Sequence, residues 1–409
     1  MAPMTESLGL AEALLGMVRH LKFGQIMDSH ADHQAIAHFP SIDLAVVAFP
    51  QNGPPMWANV LFSRDYPEGI LGTICDRAGA VSNIRYLSDQ TDAEGNSNAW
   101  LPDSNWDSMT WTDLVSRGGN RFVSPYPASL VKLMVAVGIC RVVDITSNAW
   151  DDSWSYGGVQ KTIAAWTESM LVASNNDATS AMVALLHAGG LIQKHADGET
   201  NHLESLFLSL GLDTLRLQGT QADGGWRNAD GAGVGHLQMT AWDSVRLLWL
   251  LADDLPVPPW LPSRYAPFIS SESSKRLWGW LSDQGLHEIL SSTVVAGVDG
   301  WRVGIPARLP QRWITPEGGA RVEEYDFPPD IRPANALSTV LFAHKTGNTD
   351  NYASDAGLVT GLGSHRRKYL VAITSNLGRR YAPTPGCVTD WRLPELGAAV
   401  DTWMQQNIE

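Results

Sequence analysis

Strand-like segments lie near both ends of this chain, and helical segments fill the middle. Residues 42–49 and 57–62 are rich in apolar and β-branched residues, as are residues 338–348 and 369–376 near the C-terminus. Between these two groups, apolar residues recur at the three- and four-residue spacing of helices. The order predicts an α/β (α+β) fold, in which an antiparallel sheet built from both chain ends is flanked by helices and carries an inserted all-helical region.

Changes in composition along the chain predict three parts. Residues 1–126 are expected to give N-terminal helices, the first strands and a long insertion to the α/β region. Residues 127–297 are expected to be mainly helical, and residues 298–409 to complete the α/β region and end in a closing helix. Residues 64–120 and 313–337 are rich in turn-forming residues, which favours long surface insertions.

Charge and cysteine content narrow the possible functions. The 409 residues carry a formal net charge of −14, which argues against a nucleic-acid-binding surface. The three cysteines show no C-x-x-C spacing, so neither a disulfide framework nor a zinc site is indicated. We therefore expect a small-molecule substrate as partner, no nucleic-acid partner and no cofactor or metal.

The N-terminal segment bears on the location of the protein. Glu6 and Glu12 interrupt its apolar residues, which favours an amphipathic helix over an export signal. No apolar run approaches the roughly 18 residues of a membrane-spanning helix. We therefore expect a cytoplasmic location and no membrane partner.

The run "PYPASLVKLMVAV" contains a serine and a lysine that are separated by three positions. Ser129 and Lys132 would share one face of a helix, so their side chains could touch. Apolar neighbours would lower the pKa of the lysine, and a neutral amine can act as a general base for a serine nucleophile. The alternative is a surface serine beside a lysine whose charged end reaches water.

Two later segments have the residue types of a binding cleft. Ser174 and Asn176 lie between two predicted helices, where their alternative role is helix capping. Lys345, Thr346 and Gly347 end a predicted strand. The lysine and threonine could bind a substrate carboxylate, and the glycine could let a substrate backbone approach. The alternative is an ordinary strand end with a turn glycine.

The order S-x-x-K, S-x-N and K-T-G resembles the motif set of the serine β-lactamase and penicillin-binding-protein superfamily, and is nearest to class A β-lactamases. The segments "SNNDATSAMVALL", "MTAWDSVRLLWLL" and "SDAGLV" are also similar to that family's sequence. The resemblance covers roughly residues 120–376, with two insertions. It implies a β-lactamase/transpeptidase-like fold and a serine hydrolase or acyltransferase.

The resemblance implies roles for the first two motifs. Ser129 would be the nucleophile that forms an acyl-enzyme, and Lys132 would accept its proton. Ser174 would relay a proton to the leaving nitrogen. Asn176 would hydrogen-bond both Lys132 and the side-chain amide of the substrate.

The third motif would bind the substrate. Lys345 would support Ser174 electrostatically and, with Thr346, bind a substrate carboxylate. The backbone N–H groups of Ser129 and Asn348 would form the oxyanion hole. Residues 366–368, "RRK", could add a further carboxylate contact.

The chain departs from the class A pattern in the Ω loop. That family places there a glutamate that activates the water for hydrolysis of the acyl-enzyme. Residues 215–238 contain no glutamate, and their only carboxylates in the loop are Asp223 and Asp230. Either aspartate could replace the glutamate, or both could be turn residues beside glycine.

These features favour an acyltransferase, a cyclising (lactam-forming) enzyme or a hydrolase of specialised metabolism, acting on a small amide, ester or lactam that carries a carboxylate. The alternatives are a true β-lactamase, a D-amino-acid peptidase or esterase, and a non-catalytic ligand-sensing relative. A metal hydrolase based on His30 and His33 has little support. The sequence leaves open the substrate, the acyl acceptor and the oligomeric state.

Overall fold

The structure is a computed structural model of the chain. It describes residues 3–29, 34–75, 79–92, 97–99, 104–146, 148–196, 198–227, 233–261 and 266–409. The helices are α1 (Pro3–His20), α2 (Lys132–Ile145), α3 (Ile163–Val172), α4 (Asn176–Ala188), α5 (His202–Ser209), α6 (Ala241–Leu251), α7 (Ser271–Ser282), α8 (Arg332–Ala336) and α9 (Arg392–Ile408). The strands are β1 (Met27–Asp28), β2 (Gln34–Ala35), β3 (Ile42–Ala48), β4 (Met56–Phe62), β5 (Ile70–Leu71), β6 (Ile84–Ser88), β7 (Thr112–Val115), β8 (Asn120–Ser124), β9 (Ser153–Tyr156), β10 (Val159–Thr162), β11 (Ile192–His195), β12 (Gly198–Asn201), β13 (Arg216–Leu217), β14 (Leu237–Gln238), β15 (Ala320–Val322), β16 (Tyr325–Phe327), β17 (Val340–Asn348), β18 (Ala353–Gly361) and β19 (Lys368–Ser375).

The largest sheet has six antiparallel strands in the order β17-β18-β19-β3-β4-β5. Its centre is the pairing of β19 with β3, in which Ala372 lies opposite Ala45. The two strands come from opposite ends of the chain, so the predicted antiparallel sheet built from both ends is confirmed. The division of the chain into three parts stays a prediction.

Alternate residues of each central strand enter different cores, because side chains alternate between the two faces of a sheet. Ala45 and Val47 of β3 pack into the core shared with the helical region. Leu44 and Val46 pack into a second core together with α1 and α9. The sheet therefore lies between the terminal helices on one face and the helical region on the other.

The segment at residues 64–120 is more regular than its composition indicates. It contains β6 and β7, which join β8 in a three-stranded sheet of order β7-β6-β8. Within this segment, the residues "NIRYL" (83–87) have the pattern of a strand and predict only β6. The other two strands escaped prediction because they are short and partly polar.

The spacing of apolar residues predicts one helix over residues 159–174, but the helix begins later, at Ile163. The residues before it form the hairpin of β9 and β10 instead. Thr162 ends the hairpin and caps the helix, because its hydroxyl accepts a hydrogen bond from the N–H of Ala165 at 3.1 Å. Among the described residues, no helix combines the length and the apolar character needed to cross a membrane.

A buried ion pair fastens the last strand of the sheet to the closing helix. Arg367, the residue directly before β19, donates two hydrogen bonds of 2.8 Å to the carboxylate of Asp401 in α9. Tyr369 donates a third hydrogen bond to the same carboxylate at 3.0 Å. Both members of the pair are buried, so the geometry compensates for their loss of water.

The substitution Arg367→Ala should lower the free energy of unfolding by about 3–5 kcal/mol, because it leaves Asp401 buried without its partner. Arg302 provides a control, since its ion pair with Glu395 lies at the surface. We expect Arg302→Ala to cost less than about 1 kcal/mol. Urea unfolding followed by circular dichroism measures both, and equal losses would contradict a special role for the buried pair.

Candidate active site

Ser129 lies in a tight turn at the start of α2. A 3-10 turn covers Ala128–Val131, and the α-helix begins at Lys132. Ala128 has φ of 50°, which is the left-handed region that residues other than glycine rarely adopt. Such a conformation costs about 1–3 kcal/mol and persists only where the surrounding packing enforces it. The fold therefore holds Ser129 in one place at the end of the buried helix.

Gly347 brings β17 against this turn. A Cβ atom at this position would lie 2.5 Å from the carbonyl oxygen of Pro127 and 2.7 Å from the nitrogen of Leu130. The sequence-based expectation was that the glycine admits the backbone of a substrate. In the structure, the close neighbour is the protein's own turn, and the glycine allows the third motif to pack beside Ser129.

Lys132 points to the second motif. Its amine donates hydrogen bonds to the hydroxyl of Ser174 at 3.1 Å, to the carbonyl oxygen of Ser174, and to Oδ1 of Asn176 at 2.9 Å. Ser174 has φ of 58°, so its backbone is also in the left-handed region. This conformation turns both the carbonyl and the hydroxyl of Ser174 towards the amine.

Asn175, which lies between Ser174 and Asn176 in the sequence, caps helix α4. Oδ1 of Asn175 accepts a hydrogen bond from the N–H of Ala178 at 2.9 Å, at the start of α4. Capping was the alternative role for this segment in the sequence. The structure divides the roles: Asn175 caps the helix, and Ser174 and Asn176 contact Lys132.

Lys345 approaches the same serine from the sheet. Its amine donates to the hydroxyl of Ser174 at 3.0 Å and to the carbonyl oxygen of Thr346 at 2.7 Å. Two amines from separate elements therefore share one hydroxyl. Because a hydroxyl has two acceptor lone pairs and one proton, Ser174 can accept from both amines and still donate one hydrogen bond.

Burial makes neutral amines available at this point. The pKa of Lys132 is held well below its usual value, first by burial and then by the charge of Lys345, against the opposing effect of Glu324. Burial also lowers the pKa of Lys345 to about 7, while Glu288 and Asp355 oppose that shift. Both shifts favour the neutral form of the amines, and a neutral amine can accept a proton.

An aromatic side chain covers Lys132 from the loop after β13. The amine lies 5.4 Å from the centre of the Trp226 ring, and only 4% of Trp226 is exposed. Gly224, with φ of 97°, allows the loop to pack closely on its neighbours, because a side chain there would clash with the carbonyl of Ser180 and the hydroxyl of Tyr156. The loop thus presents an apolar ring to the amine.

Asp223 is a turn residue of this loop. Its Oδ1 accepts a hydrogen bond from the N–H of Gly225 at 3.1 Å, and its side chain is exposed. Asp230, the other aspartate considered from the sequence, lies outside the described residues. Within its described part, the loop places an indole rather than a carboxylate beside Lys132.

The remaining residues of the third motif line the edge of the sheet. Thr346 is 2% exposed, and its hydroxyl has no hydrogen-bond partner among the residues that the structure describes. Asn348 lies opposite Ala353 of β18, and its side chain donates to the carbonyl oxygen of Val388 at 2.6 Å. The predicted oxyanion hole of Ser129 and Asn348 stays a prediction.

Residues 366–368 have other partners than the substrate carboxylate that we expected. Arg367 pairs with Asp401, as described above. Lys368 pairs with Asp254 at 2.6 Å. The backbone N–H of Arg366 donates to Glu409.

Among the described residues, no group of three or more His, Cys, Asp or Glu side chains could hold a metal ion, and the histidines at 30 and 33 lie outside those residues.

Sequence reasoning missed three residues of the site. They are Trp226, Glu288 and Glu323, whose carboxylate accepts a hydrogen bond from the side chain of Asn175 at 2.9 Å. Trp226 follows a glycine pair, and Glu288 stands alone in the apolar run "GLHEIL". A buried charge in such a run was the signal that singled out Lys132, and it applied equally to Glu288. Glu323 belongs to an insertion, where the sequence offered no comparable signal.

Several solved structures are similar to this chain. The TLA-1 extended-spectrum β-lactamase is 11% identical with a TM-score of 0.46, over 96% of this chain and 99% of that chain. A class A β-lactamase from Bacteroides cellulosilyticus is 14% identical with a TM-score of 0.41, over 69% of this chain and 83% of that chain. PBP-A is 15% identical with a TM-score of 0.40, over 74% of this chain and 86% of that chain. No protein-family model matches the sequence, and no curated protein sequence matches it.

At this level of similarity, the interpretation of the site rests on the geometry of its own residues.

The lowered pKa of Lys345 should make stability depend on pH. Between about pH 7 and pH 10, the unfolded chain keeps the proton on Lys345 and the folded chain releases it. The free energy of unfolding therefore rises with pH in this window, by up to about 1.4 kcal/mol per pH unit. The variant Lys345→Met should lose that rise.

Urea unfolding at several pH values from 7 to 9 measures this difference. The matched control is Lys275→Met, because Lys275 is exposed on α7 and should leave the pH dependence unchanged. If the unfolding free energies of wild type and Lys345→Met keep a constant difference across the window, the lowered pKa is wrong.

Proposed function

We propose that this protein is a serine acyl-enzyme catalyst that transfers an acyl group from a small amide, ester or lactam to an amine or alcohol. Where the amine belongs to the same molecule, the product is a lactam. The observation that carries the proposal is the shared hydroxyl of Ser174, which accepts hydrogen bonds from Lys132 and Lys345 at 3.1 and 3.0 Å. This arrangement connects a base to a proton donor beside a fixed serine.

In the first half-reaction, the neutral amine of Lys132 accepts the proton of Ser129 while the serine oxygen attacks the substrate carbonyl. Ser174 then passes a proton to the leaving nitrogen, and it regains one from Lys132. The bond between the carbonyl carbon and the leaving nitrogen breaks, and the acyl group remains on Ser129. The proton that Ser174 regains moves along its hydrogen bond with Lys132.

A substrate carboxylate has a site next to Ser174. The amine of Lys345 and the hydroxyl of Thr346 lie at the edge of the sheet, and a carboxylate can accept hydrogen bonds from both. Binding an anion there also favours the charged form of Lys345. We infer that the substrate carries such a carboxylate, which orients its carbonyl towards Ser129.

The second half-reaction is the basis for proposing transfer rather than hydrolysis. Hydrolysis needs a base that activates water beside the acyl group. Among the described residues of the loop over Lys132, the ring of Trp226 covers the amine and Asp223 faces away into a turn. An apolar cover excludes water, so an acceptor that brings its own nucleophile has the advantage.

Hydrolysis is the second candidate, because the same Ser129 and Lys132 pair could pass the acyl group to water. It includes β-lactamase activity and the cleavage of D-amino-acid peptides or esters. A ligand-sensing protein without turnover is distinguished by Ser129→Ala, which should leave ligand binding intact and remove turnover from an enzyme. The cytoplasmic location stays a prediction.

Intact-protein mass spectrometry with a panel of β-lactams and amino-acid esters tests the nucleophile. We expect an adduct whose mass places the acyl group on Ser129, and no adduct on Ser129→Ala. Lys132→Arg should slow the formation of the adduct by about 100-fold or more, because arginine stays protonated and cannot act as the base. An adduct that forms equally fast in Lys132→Arg would contradict the mechanism.

The lifetime of the adduct tests the role of the indole. Trp226→Ala should shorten the lifetime by about tenfold, because water reaches the acyl group once the ring is removed. Trp226→Phe keeps an aromatic ring over Lys132 and should stay within about threefold of wild type. Equal lifetimes in the alanine variant and in wild type would show that the ring does not exclude water.

A further inference from the structure

A buried carboxyl group lies near the third motif without a partner. Glu288 is 8% exposed, and it has no hydrogen bond or ion pair with any residue that the structure describes. The remaining exposure includes its carboxylate oxygens, so a ligand can reach them. A buried carboxylate is costly unless a positive group or hydrogen-bond donor compensates it.

Contacts on both sides fix where Glu288 lies. On one side, the N–H of Gly285 donates to the carbonyl oxygen of Val172 at 2.9 Å, two residues before Ser174. On the other side, the N–H of Leu290 donates to Asp355 of β18 at 3.1 Å. Glu288 is therefore on a short segment between the turn that contains Ser174 and strand β18, which pairs with β17.

A hairpin from the second insertion closes this space. Strands β15 and β16 pair, and the tip between them contains Glu323 and Glu324. Glu323 accepts hydrogen bonds from the hydroxyl of Ser169 at 2.6 Å and from the side chain of Asn175 at 2.9 Å. The hairpin is thereby attached to the residues that precede Asn176.

The base of the hairpin is attached as well. A Cβ atom at Gly285 would lie 2.5 Å from a methyl group of Val322 in β15, so the glycine allows the hairpin to pack on the segment that carries Glu288. The space around Glu288 is thus bounded by the turn that contains Ser174, β17 and the hairpin.

Glu288 lies beside strand β17, because the ring centre of its neighbour His287 is 4.6 Å from that of His344, which precedes Lys345. Burial raises the pKa of Glu288 to about 7, and the charges of Lys345 and Arg379 oppose that rise. Glu288 and Lys345 do not form an ion pair, because Lys345 is hydrogen-bonded to Ser174 and Thr346 instead.

We propose that Glu288, assisted by Glu324 at the hairpin tip, forms a binding subsite for the protonated primary amine of the acyl acceptor and accepts one of its protons. This inference rests on the proposed function and names the class of acceptor. An ammonium group supplies a cation in direct contact with the carboxylate, whereas Lys345 and Arg379, among the described residues, act on it only through their charge. An alcohol of the same shape supplies no charge and gains much less from the subsite.

The transfer then balances as follows. The ammonium gives one proton to the carboxylate of Glu288, and the neutral amine attacks the acyl carbon on Ser129. A C–N bond forms, and the C–O bond to Ser129 breaks. The second proton leaves the nitrogen and reaches the serine oxygen through Ser174 and Lys132, while Glu288 releases its proton to solvent.

A pair of probes separates the charge from the shape of the acceptor. Glycinamide carries the amine, and glycolamide carries a hydroxyl in its place. With the acyl-enzyme formed from a β-lactam, we expect wild type to give at least about ten times more transfer product with glycinamide. Glu288→Gln should lower the ratio of transfer product to hydrolysis product by about tenfold, and Glu324→Gln by about two- to threefold.

The control for both variants is Glu272→Gln, because Glu272 is exposed on α7 and should leave the ratio unchanged. Equal transfer to glycinamide and glycolamide by wild type would overturn the inference, and so would an unchanged ratio in Glu288→Gln. If the glutamine variant fails to fold, the binding of the two probes to Ser129→Ala decides the matter, because binding does not depend on their nucleophilicity.

A binding measurement keeps the test independent of the acyl chemistry. In Ser129→Ala, glycinamide should raise the melting temperature more than glycolamide does, and Glu288→Gln in the same background should remove the difference. If no β-lactam or ester acylates Ser129, the proposed function fails, and this measurement still decides the amine subsite. If Ser129 is acylated but neither measurement distinguishes the two probes, only the subsite is wrong.

Discussion

The site depends on one hydroxyl that two buried amines share. Ser174 accepts a hydrogen bond from Lys132 at 3.1 Å and from Lys345 at 3.0 Å. Two ammonium ions that close together in a buried setting repel strongly, so the arrangement is stable only if at least one amine is neutral. The left-handed turn orients Ser174 towards the amine, and the apolar surroundings of α2 lower the pKa of Lys132. The constraint also explains why the three elements that bring these groups together are held by tight packing.

The two sides of this hydroxyl differ in chemical character. On the side of Lys132, the ring of Trp226 provides an apolar cover. On the side of Lys345, the neighbouring groups are the buried carboxyls of Glu288 and Asp355. Acyl transfer to an amine needs both kinds of surroundings, since water must be kept from the ester while the acceptor loses a proton. The asymmetry of the site therefore fits the two halves of the proposed reaction.

The parts of the fold that sequence reasoning predicted are those with a local signal. The strands at both ends are continuous apolar runs, and Ser129 and Lys132 are three positions apart on one turn. Short hairpins such as β9 and β10 have exposed, polar residues and no such signal. Trp226 and Glu288 were missed because their importance comes from what the folded chain places beside them. The glycine of the third motif was assigned to substrate, whereas its position is set by packing against the turn of Ser129.

The pairing of β3 with β19 has a consequence for how the protein acquires its chemistry. These strands come from opposite ends of the chain, and β17, which carries Lys345, joins the sheet only through β18 and β19. Closing so long a loop is entropically slow, and contacts of this kind form late in folding. During synthesis, Ser129 and Lys132 are made long before the strand that completes their surroundings. In the proposed mechanism, Ser129 therefore becomes reactive only after β17 has joined the sheet.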